Sequence, residues 1–206
     1  MKTIDRIPNF SKISGLFILL ILVSTSGFAQ IKNENRSELI KPETEITNDL
    51  FWHVKAFRPE AQLLKVKAVD KKGNIYDVKA IQSSESTSVL NVKAIVNDKQ
   101  FPIKVILPTG NDKYYPVMAI TEKGKLLTIK AFTSDNRYLD IKGVSKTGNI
   151  IHLSAITDDN KAFTIISISP FGEVNSVVGV KMTDSVEEAV INGVSVFAHV
   201  KAIKQD

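Results

Sequence analysis

A short motif recurs along most of this chain and limits its possible folds more than any other feature. It reads Val-Lys-Ala followed by an apolar residue, as in Val66-Lys67-Ala68-Val69. We call the first residue of each copy, or the apolar residue that replaces it, the anchor. Successive anchors are 11 to 14 residues apart. They are Val54, Val66, Val78, Val92, Ile103, Val117, Ile129, Ile141, Leu153 and Ile165.

Turn-forming residues separate the anchors and predict consecutive β-hairpins. Examples are Lys71-Lys72-Gly73-Asn74 and Lys146-Thr147-Gly148-Asn149. Strands of seven or eight residues joined by Gly, Asn and Asp turns indicate an antiparallel meander. A parallel solenoid is the alternative use of a short period. A coil of about a dozen residues, however, leaves no room for such a strand and a return path.

One face of every predicted strand is apolar and should be buried. Side chains alternate along a strand, so the anchor shares its face with the residues two before and two after it. Large residues such as Trp52 and Tyr76 precede the anchor, and small residues such as Ala68 follow it. Pairing anchor with anchor would place Ala68 opposite Tyr76. Large residues opposite small ones fill a core without voids.

The opposite face has lysine directly after most anchors and apolar residues near the strand ends, such as Ile81 and Ile95. This pattern predicts an outer face that is partly covered. The same register predicts three cross-strand contacts, of which the two Lys–Asp ion pairs would each contribute a few tenths of a kcal/mol when exposed. They are Lys67 with Asp77, Lys130 with Asp140, and Lys142 with His152.

The motif weakens after Ile168. Residues 177–181 predict one more strand. Residues 185–191 have capping-box spacing for a short helix, but a hairpin across Asn192-Gly193 is favoured. The final heptad, residues 197–203, resembles the first, residues 51–57. The two could therefore pair and close the sheet, or their likeness could reflect only the shared motif.

These patterns predict an all-β fold of ten to twelve short strands in an antiparallel meander. A round barrel of twelve strands would leave an interior too wide for alanine-rich rows to fill. A flattened barrel or a two-sheet sandwich fills better. A β-prism or a propeller-like arrangement is the alternative, because it would bury apolar residues on both faces.

The N-terminal residues resemble a secretory signal peptide. A basic start with Lys2 and Arg6 precedes an apolar run from Ile13 to Val23, and Gly27-Phe28-Ala29 fits a cleavage site. The run is too short to favour a membrane anchor. We predict a signal peptide over 1–29, a polar linker over 30–50 and a β-domain over 51–206. The mature protein would lack a transmembrane anchor and would reside in the periplasm, on the outer surface or outside the cell.

Catalytic signatures are missing from the sequence. The chain has no cysteine, no nucleophile elbow, no phosphate loop and no zinc-protease motif. The three histidines, His53, His152 and His199, all lie one residue from a strand anchor, but neighbouring lysines oppose a metal ion. We therefore predict no cofactor and no metal site. The net charge of +5 does not by itself indicate nucleic acid as a partner.

The lysines that follow the anchors are the main candidates for function. In a meander they would form two staggered rows on one face, able to hold an anionic polysaccharide or an envelope component. The alternative is that they only keep the sheet soluble. The candidate anion-binding residues are Lys55, Lys67, Lys79, Lys93, Lys104, Lys130 and Lys142.

Two classes of function follow from these residues. The first is an exported, non-enzymatic binding or structural module that uses the lysine face. The second is a secreted hydrolase whose acidic residues come from turns, although such residues are usually turn formers. The candidate acids are Asp112, Asp135, Asp158 and Asp159.

The stretch 52–60, the later Val-Lys-Ala-Ile copies and the final 199–203 resemble a family of exported Bacteroidota proteins whose function is unknown. The resemblance covers roughly 50–206 and implies an exported bacterial protein. It carries no active site, so it implies no functional residue.

Overall fold

The computed structural model describes residues 37–38, 49–58, 62–110, 112–135 and 137–205. The predicted signal peptide, 1–29, lies outside these residues, as does most of the predicted linker, 30–50. Within that linker, Ser37–Glu38 forms a parallel pairing with Val190 and Ile191. The described residues include no helix with the length and apolar character required to cross a membrane.

The described residues form fourteen strands and no helix, which confirms the predicted all-β fold. Apart from the β1–β13 contact, every pairing is antiparallel, and each strand from β2 to β12 pairs with the next motif-bearing strand along the chain. The predicted meander is therefore confirmed. The strands are β1 (Ser37–Glu38), β2 (Leu50–Arg58), β3 (Gln62–Val69), β4 (Ile75–Gln82), β5 (Val89–Val96), β6 (Lys99–Ile106), β7 (Tyr115–Ile120), β8 (Leu126–Phe132), β9 (Tyr138–Thr147), β10 (Ile150–Ile156), β11 (Ala162–Ile168), β12 (Val174–Val180), β13 (Ala189–Ile191) and β14 (Val194–Lys204).

The favoured hairpin near the C-terminus is also confirmed. Strands β13 and β14 are joined by Asn192 and Gly193, both with positive φ, as a two-residue hairpin turn requires. The predicted strand over 177–181 corresponds to β12, which begins three residues earlier.

The strands other than β1 and β13 pair in groups of three. We call each group a junction, because every strand in it pairs with both others. The four junctions are β2–β3–β4, β5–β6–β14, β7–β8–β9 and β10–β11–β12.

Each junction is linked to each of the other three by a single pairing. The links are β2–β11, β3–β8, β4–β5, β6–β7, β9–β10 and β12–β14. All strands thus belong to one sheet that closes in a ring. The first and last heptads lie in different junctions, on β2 and β14, so the closure is not made by pairing them. Distant strands such as β2 and β11 close the sheet instead.

The anchors meet at the centre of this sheet. The ten predicted anchors, together with Val177 of β12 and Val200 of β14, line one apolar cavity of about 10 Å³. A space of that size is at the limit for one water molecule, and apolar cavities stay dry. A round barrel of twelve strands would have a wide interior, because each strand would pair with only two neighbours. Here each of the twelve anchor-bearing strands pairs with three others, so the interior is narrow enough for the anchors to fill.

The predicted apolar face is the core, and its packing has two registers. Within junctions anchor faces anchor, so Ala68 faces Tyr76 and Ala80 faces Trp52. Between junctions the register differs by two residues, so Val66 faces Ala131. The uniform register predicted from the sequence is correct within junctions and wrong between them.

Two core positions require glycine because their neighbours are large. A Cβ on Gly179 would lie 2.8 Å from Cγ2 of Val105 and 3.0 Å from Cβ of Ile151. A Cβ on Gly143 would lie 2.8 Å from Cγ2 of Ile151 and 3.1 Å from Cβ of Tyr115. Both glycines occupy the position two after the anchor, where most strands have alanine.

A small second core covers part of the outer face. Ile120, at the end of β7, packs with Ala189, Ile191 and Val196 of the β13–β14 hairpin, and all four are buried. This cluster bears out, at one place, the prediction that apolar residues at strand ends are partly covered.

Candidate functional site

The β2–β3–β4 junction carries the densest group of charged side chains on a single junction. Its strands place the residues before and after each anchor around an open pocket of about 200 Å³. We call this site the Lys junction. Its charged or titratable members are His53, Lys55, Lys65, Lys67, Asp77 and Lys79.

Strand register arranges these six residues as three facing pairs. The residue after each anchor lies opposite the residue before the anchor of a partner strand. The pairs are Lys55 with Lys65, Lys67 with Asp77, and Lys79 with His53. The site therefore contains an ion pair, an ammonium–imidazole pair and a pair of ammonium groups.

Each facing pair has different chemistry. Lys67 donates to the Asp77 carboxylate, which confirms the predicted contact. Lys79 Nζ lies 3.0 Å from Nδ1 of His53. The third pair, Lys55 and Lys65, brings two cations into register with no carboxylate from this junction between them.

The excess of positive charge, together with burial, shifts the pKa values of the site's groups. The Lys79 ammonium, partial burial and the Lys55 ammonium lower the pKa of His53, and the Asp77 carboxylate only partly opposes them. Burial, followed by the charges of Lys65 and Lys79, lowers the pKa of Lys55. A hydrogen bond from Lys67 lowers the pKa of Asp77, so this carboxylate stays ionised.

The β5–β6–β14 junction holds Lys93 and Lys104 and connects to a buried charge cluster. Lys104 contacts Nδ1 of His199, whose Nε2 lies 4.0 Å from Glu188. Glu188 lies 3.9 Å from the ammonium of Lys181, and both side chains are 2% exposed. Burial would raise the pKa of Glu188, but hydrogen bonds from residues 182 and 183 and the charge of His199 lower it. The arrangement ties residues 182–188 to the sheet.

The β7–β8–β9 junction holds Lys130 and Lys142 around Asp140. The predicted contact between Lys130 and Asp140 is confirmed, with a distance of 2.8 Å from the ammonium to the carboxylate. Lys142 lies 4.0 Å from the same carboxylate. The predicted Lys142–His152 contact is wrong, because β9–β10 is a link between junctions. There Lys142 faces Ser154, and His152 contacts the Thr147 hydroxyl at 3.1 Å.

The candidate lysines therefore do not form two continuous rows. Three lie on the Lys junction, and two on each of the next two junctions. Across the links Lys67 faces Lys130 and Lys79 faces Lys93, which brings like charges together. The seven residues share a strand position, but the three-way pairing separates them into groups with different partners.

The β10–β11–β12 junction has the same backbone arrangement and different side chains. We call it the hydroxyl junction. The positions around its anchors contain an imidazole, hydroxyl groups and apolar groups in place of lysine, and all except Ile166 line a pocket of about 510 Å³. The six positions are His152, Ser154, Thr164, Ile166, Ser176 and Val178.

The three histidines lie on three different junctions. His53 is on the Lys junction, His152 on the hydroxyl junction and His199 on β14. Within the described ranges, no group of three or more His, Cys, Asp or Glu side chains is placed to hold a metal ion.

Lys65 is the residue of the Lys junction that the candidate set omitted. It precedes its anchor instead of following it, so it breaks the shared position on which that set was built. Its signal was nevertheless in the sequence, because Leu64-Lys65-Val66-Lys67 has lysine on both sides of an anchor. No other strand has that arrangement.

Residues 48–203 match a family of unknown function, DUF7486, and the chain therefore belongs to that family. No curated protein and no solved structure matches the chain.

Proposed function

We propose that this member of a family of unknown function is an exported, non-enzymatic module that binds anionic ligands at the Lys junction. Export rests on the signal-peptide pattern of residues 1–29. The ligand class rests on the charge of the junction, and an anionic polysaccharide or envelope component fits that charge.

A single observation carries the proposal: four lysines and a histidine surround one pocket that contains a single carboxylate, Asp77. The Lys79 ammonium lowers the pKa of His53, and the charges of Lys65 and Lys79 add to burial in lowering the pKa of Lys55. A site whose cations repel one another gains free energy when an anion enters it. Solubility alone does not require four lysines at one three-strand junction.

The contacts of two of the four turn acids do not favour the hydrolase alternative. Asp135 accepts hydrogen bonds from Thr133 and Arg137 within its own turn. Hydrogen bonds from Thr157 and Lys161 lower the pKa of Asp159 to about 2. Both carboxylates stabilise hairpin turns and remain ionised at neutral pH, which suits turn formation better than proton donation.

The proposal is tested by changing Lys55, Lys67 and Lys79 to glutamine and measuring retention on immobilised heparin against salt. Three lost charge contacts at about 0.5–1 kcal/mol each should weaken binding by about tenfold or more. The matched control changes three exposed lysines, two in turns and one near the end of β9: Lys71→Gln, Lys123→Gln and Lys146→Gln. It removes the same net charge. Equal losses in both variants would contradict a site at the junction.

The non-enzymatic part of the proposal has its own test. The wild-type protein and alanine variants of the four turn acids are screened with broad hydrolase substrates. The proposal expects no turnover that depends on these residues. An activity that disappears with Asp112→Ala, Asp135→Ala, Asp158→Ala or Asp159→Ala would overturn it.

A further inference from the structure

The three facing pairs of the Lys junction are not equivalent, and the difference identifies where an anion would bind. Lys67 faces the carboxylate of Asp77, and Lys79 faces the imidazole of His53. Lys55 and Lys65 face each other. Of the three pairs, only this one consists of two ammonium groups and has no side chain that can accept a hydrogen bond.

The surroundings of Lys55 point to a compact ligand. Its side chain is partly buried, and burial together with the charge of Lys65 holds its pKa below the usual range. The pocket of about 200 Å³ is bounded at its base by the anchors Val54, Val66 and Val78. Such a space accepts a small, highly charged group more readily than an extended segment of a polymer backbone.

We infer that a tetrahedral oxyanion, a phosphate or sulfate group, binds between Lys55 and Lys65 within reach of His53. This inference rests on the proposed function and specifies its ligand. Each ammonium has three donor hydrogens and no acceptor, so the pair can direct several hydrogen bonds to one group. A tetrahedral oxyanion has more acceptor oxygens than a carboxylate and can serve both lysines together.

Binding of the oxyanion is coupled to protonation of His53. The charged groups that act on His53 are Lys79 and Asp77 on β4, Lys67 on β3 and Lys55 on its own strand. Lys65 lines the same pocket, and β11 places Ile168 opposite His53. A bound anion offsets the ammonium charges that lower the pKa of His53, so that pKa rises. By linkage, binding takes up a proton and strengthens as pH falls through the titration range of His53.

Inorganic phosphate and inorganic sulfate are the probes, and the His53 ring signal in an NMR pH titration is the readout. We expect saturable phosphate binding that raises the pKa of His53, while the His152 ring on the hydroxyl junction does not respond to phosphate. Sulfate should give the same response, because both probes have the tetrahedral oxygens that the site recognises. If neither anion changes the pKa of His53 measured from its ring signal, the inference is overturned.

Lys65→Gln supplies the decisive variant, with Lys125→Gln as the control at an exposed turn position. The loss of Lys65 should weaken phosphate binding at least several-fold and reduce the shift in the pKa of His53, and the control should change neither. An unchanged affinity in Lys65→Gln would contradict the assigned position.

Three further ligands separate this inference from the proposed function and identify the source of the group. A sulfated heparin disaccharide that competes with phosphate would identify a sugar sulfate as a ligand. Vesicles of phosphatidic acid that compete would identify a lipid headgroup. Polyglutamate binding to the junction without any phosphate response would overturn the inference and leave the proposed function intact. Loss of every junction-dependent interaction would overturn both.

Discussion

The Lys junction and the hydroxyl junction have the same strand pairing and different outer chemistry. In both, the small residue two after the anchor faces a large residue of a partner strand, as in Ala56 with Leu64 and Ala155 with Phe163. On the outer side, ammonium groups surround one pocket and hydroxyl groups the other. Inward positions thus define the junction, while outward positions are available for function.

The largest effects should come from inward substitutions, in both junctions alike. Gly179→Ala in the hydroxyl junction places a Cβ against Val105 and Ile151, and Ala68→Val in the Lys junction crowds Tyr76. Overpacking of this kind should cost about 1–3 kcal/mol of unfolding free energy. Urea unfolding with an unchanged m-value provides the measurement.

Outward substitutions supply the control for that experiment. Lys65→Gln and Thr164→Gln lie on the exposed side of the same two junctions, and each should change stability by no more than about 0.5 kcal/mol. If an outward substitution lowers the free energy of unfolding as much as an inward one, then the outward positions also determine the fold and are not simply available for function.

Introducing lysines into the hydroxyl junction should give it the anion binding that is proposed for the Lys junction. Lysine at the three positions before the anchors of the hydroxyl junction, His152→Lys, Thr164→Lys and Ser176→Lys, should create a second anion site. Heparin binding should strengthen about tenfold, since each contact is worth about 0.5–1 kcal/mol.

This triple variant requires a control with the same added charge at exposed loop positions. Ser84→Lys, Thr109→Lys and Ser134→Lys together should raise heparin binding much less, because these residues lie on separate loops. An equal gain in the two triple variants would mean that net charge, rather than the junction, determines binding.

Removal of the single acid from the Lys junction should sharpen its contrast with the other junctions. Asp77→Asn leaves Lys67 without its carboxylate partner, so the site becomes more positive and should bind heparin a few-fold more tightly. Asp140→Asn, at the equivalent pair of the β7–β8–β9 junction, is the comparison. A larger gain from Asp140→Asn would move the main site to that junction.

The smallest predicted effect is a dependence of stability on pH from His53. Because the folded state holds the pKa of His53 below its unfolded value, the unfolded chain binds this proton first as pH falls below about 6.5. The free energy of unfolding therefore has its full value, as far as His53 is concerned, above that pH. It decreases as the pH falls towards the pKa of His53 in the folded state. His53→Gln should flatten this part of the stability curve, measured by urea midpoints, and an unchanged slope would exclude the effect.

The sequence predicted the strands and their inward faces because each motif contains both in local form. Ala68 opposite Tyr76 followed from period-two alternation and a hairpin register, and the structure has that contact. The three-way pairing could not be predicted in the same way. Pairings such as β2–β11 and β3–β8 join segments distant in the chain, and nearly identical motifs do not specify which distant strand is the partner.

A weak signal for the two registers was nevertheless present. The anchors of β4 and β5, and those of β6 and β7, are 14 residues apart, and both hairpins link different junctions. Most hairpins within junctions have a step of 12. The step is only a partial signal, because the β9–β10 hairpin also links two junctions in the offset register and has a step of 12. The Lys junction itself depends on the β2–β4 pairing, which skips a strand and therefore has no hairpin signal.

The central claim is that anions bind the Lys junction through its outward side chains. Backbone amide chemical-shift mapping with a heparin tetrasaccharide tests it most directly. We expect saturable shifts concentrated on β2, β3 and β4 around Lys55, Lys65 and Lys79, with β10, β11 and β12 unaffected. Shifts spread evenly over all lysine-bearing strands, or concentrated on the hydroxyl junction, would contradict it.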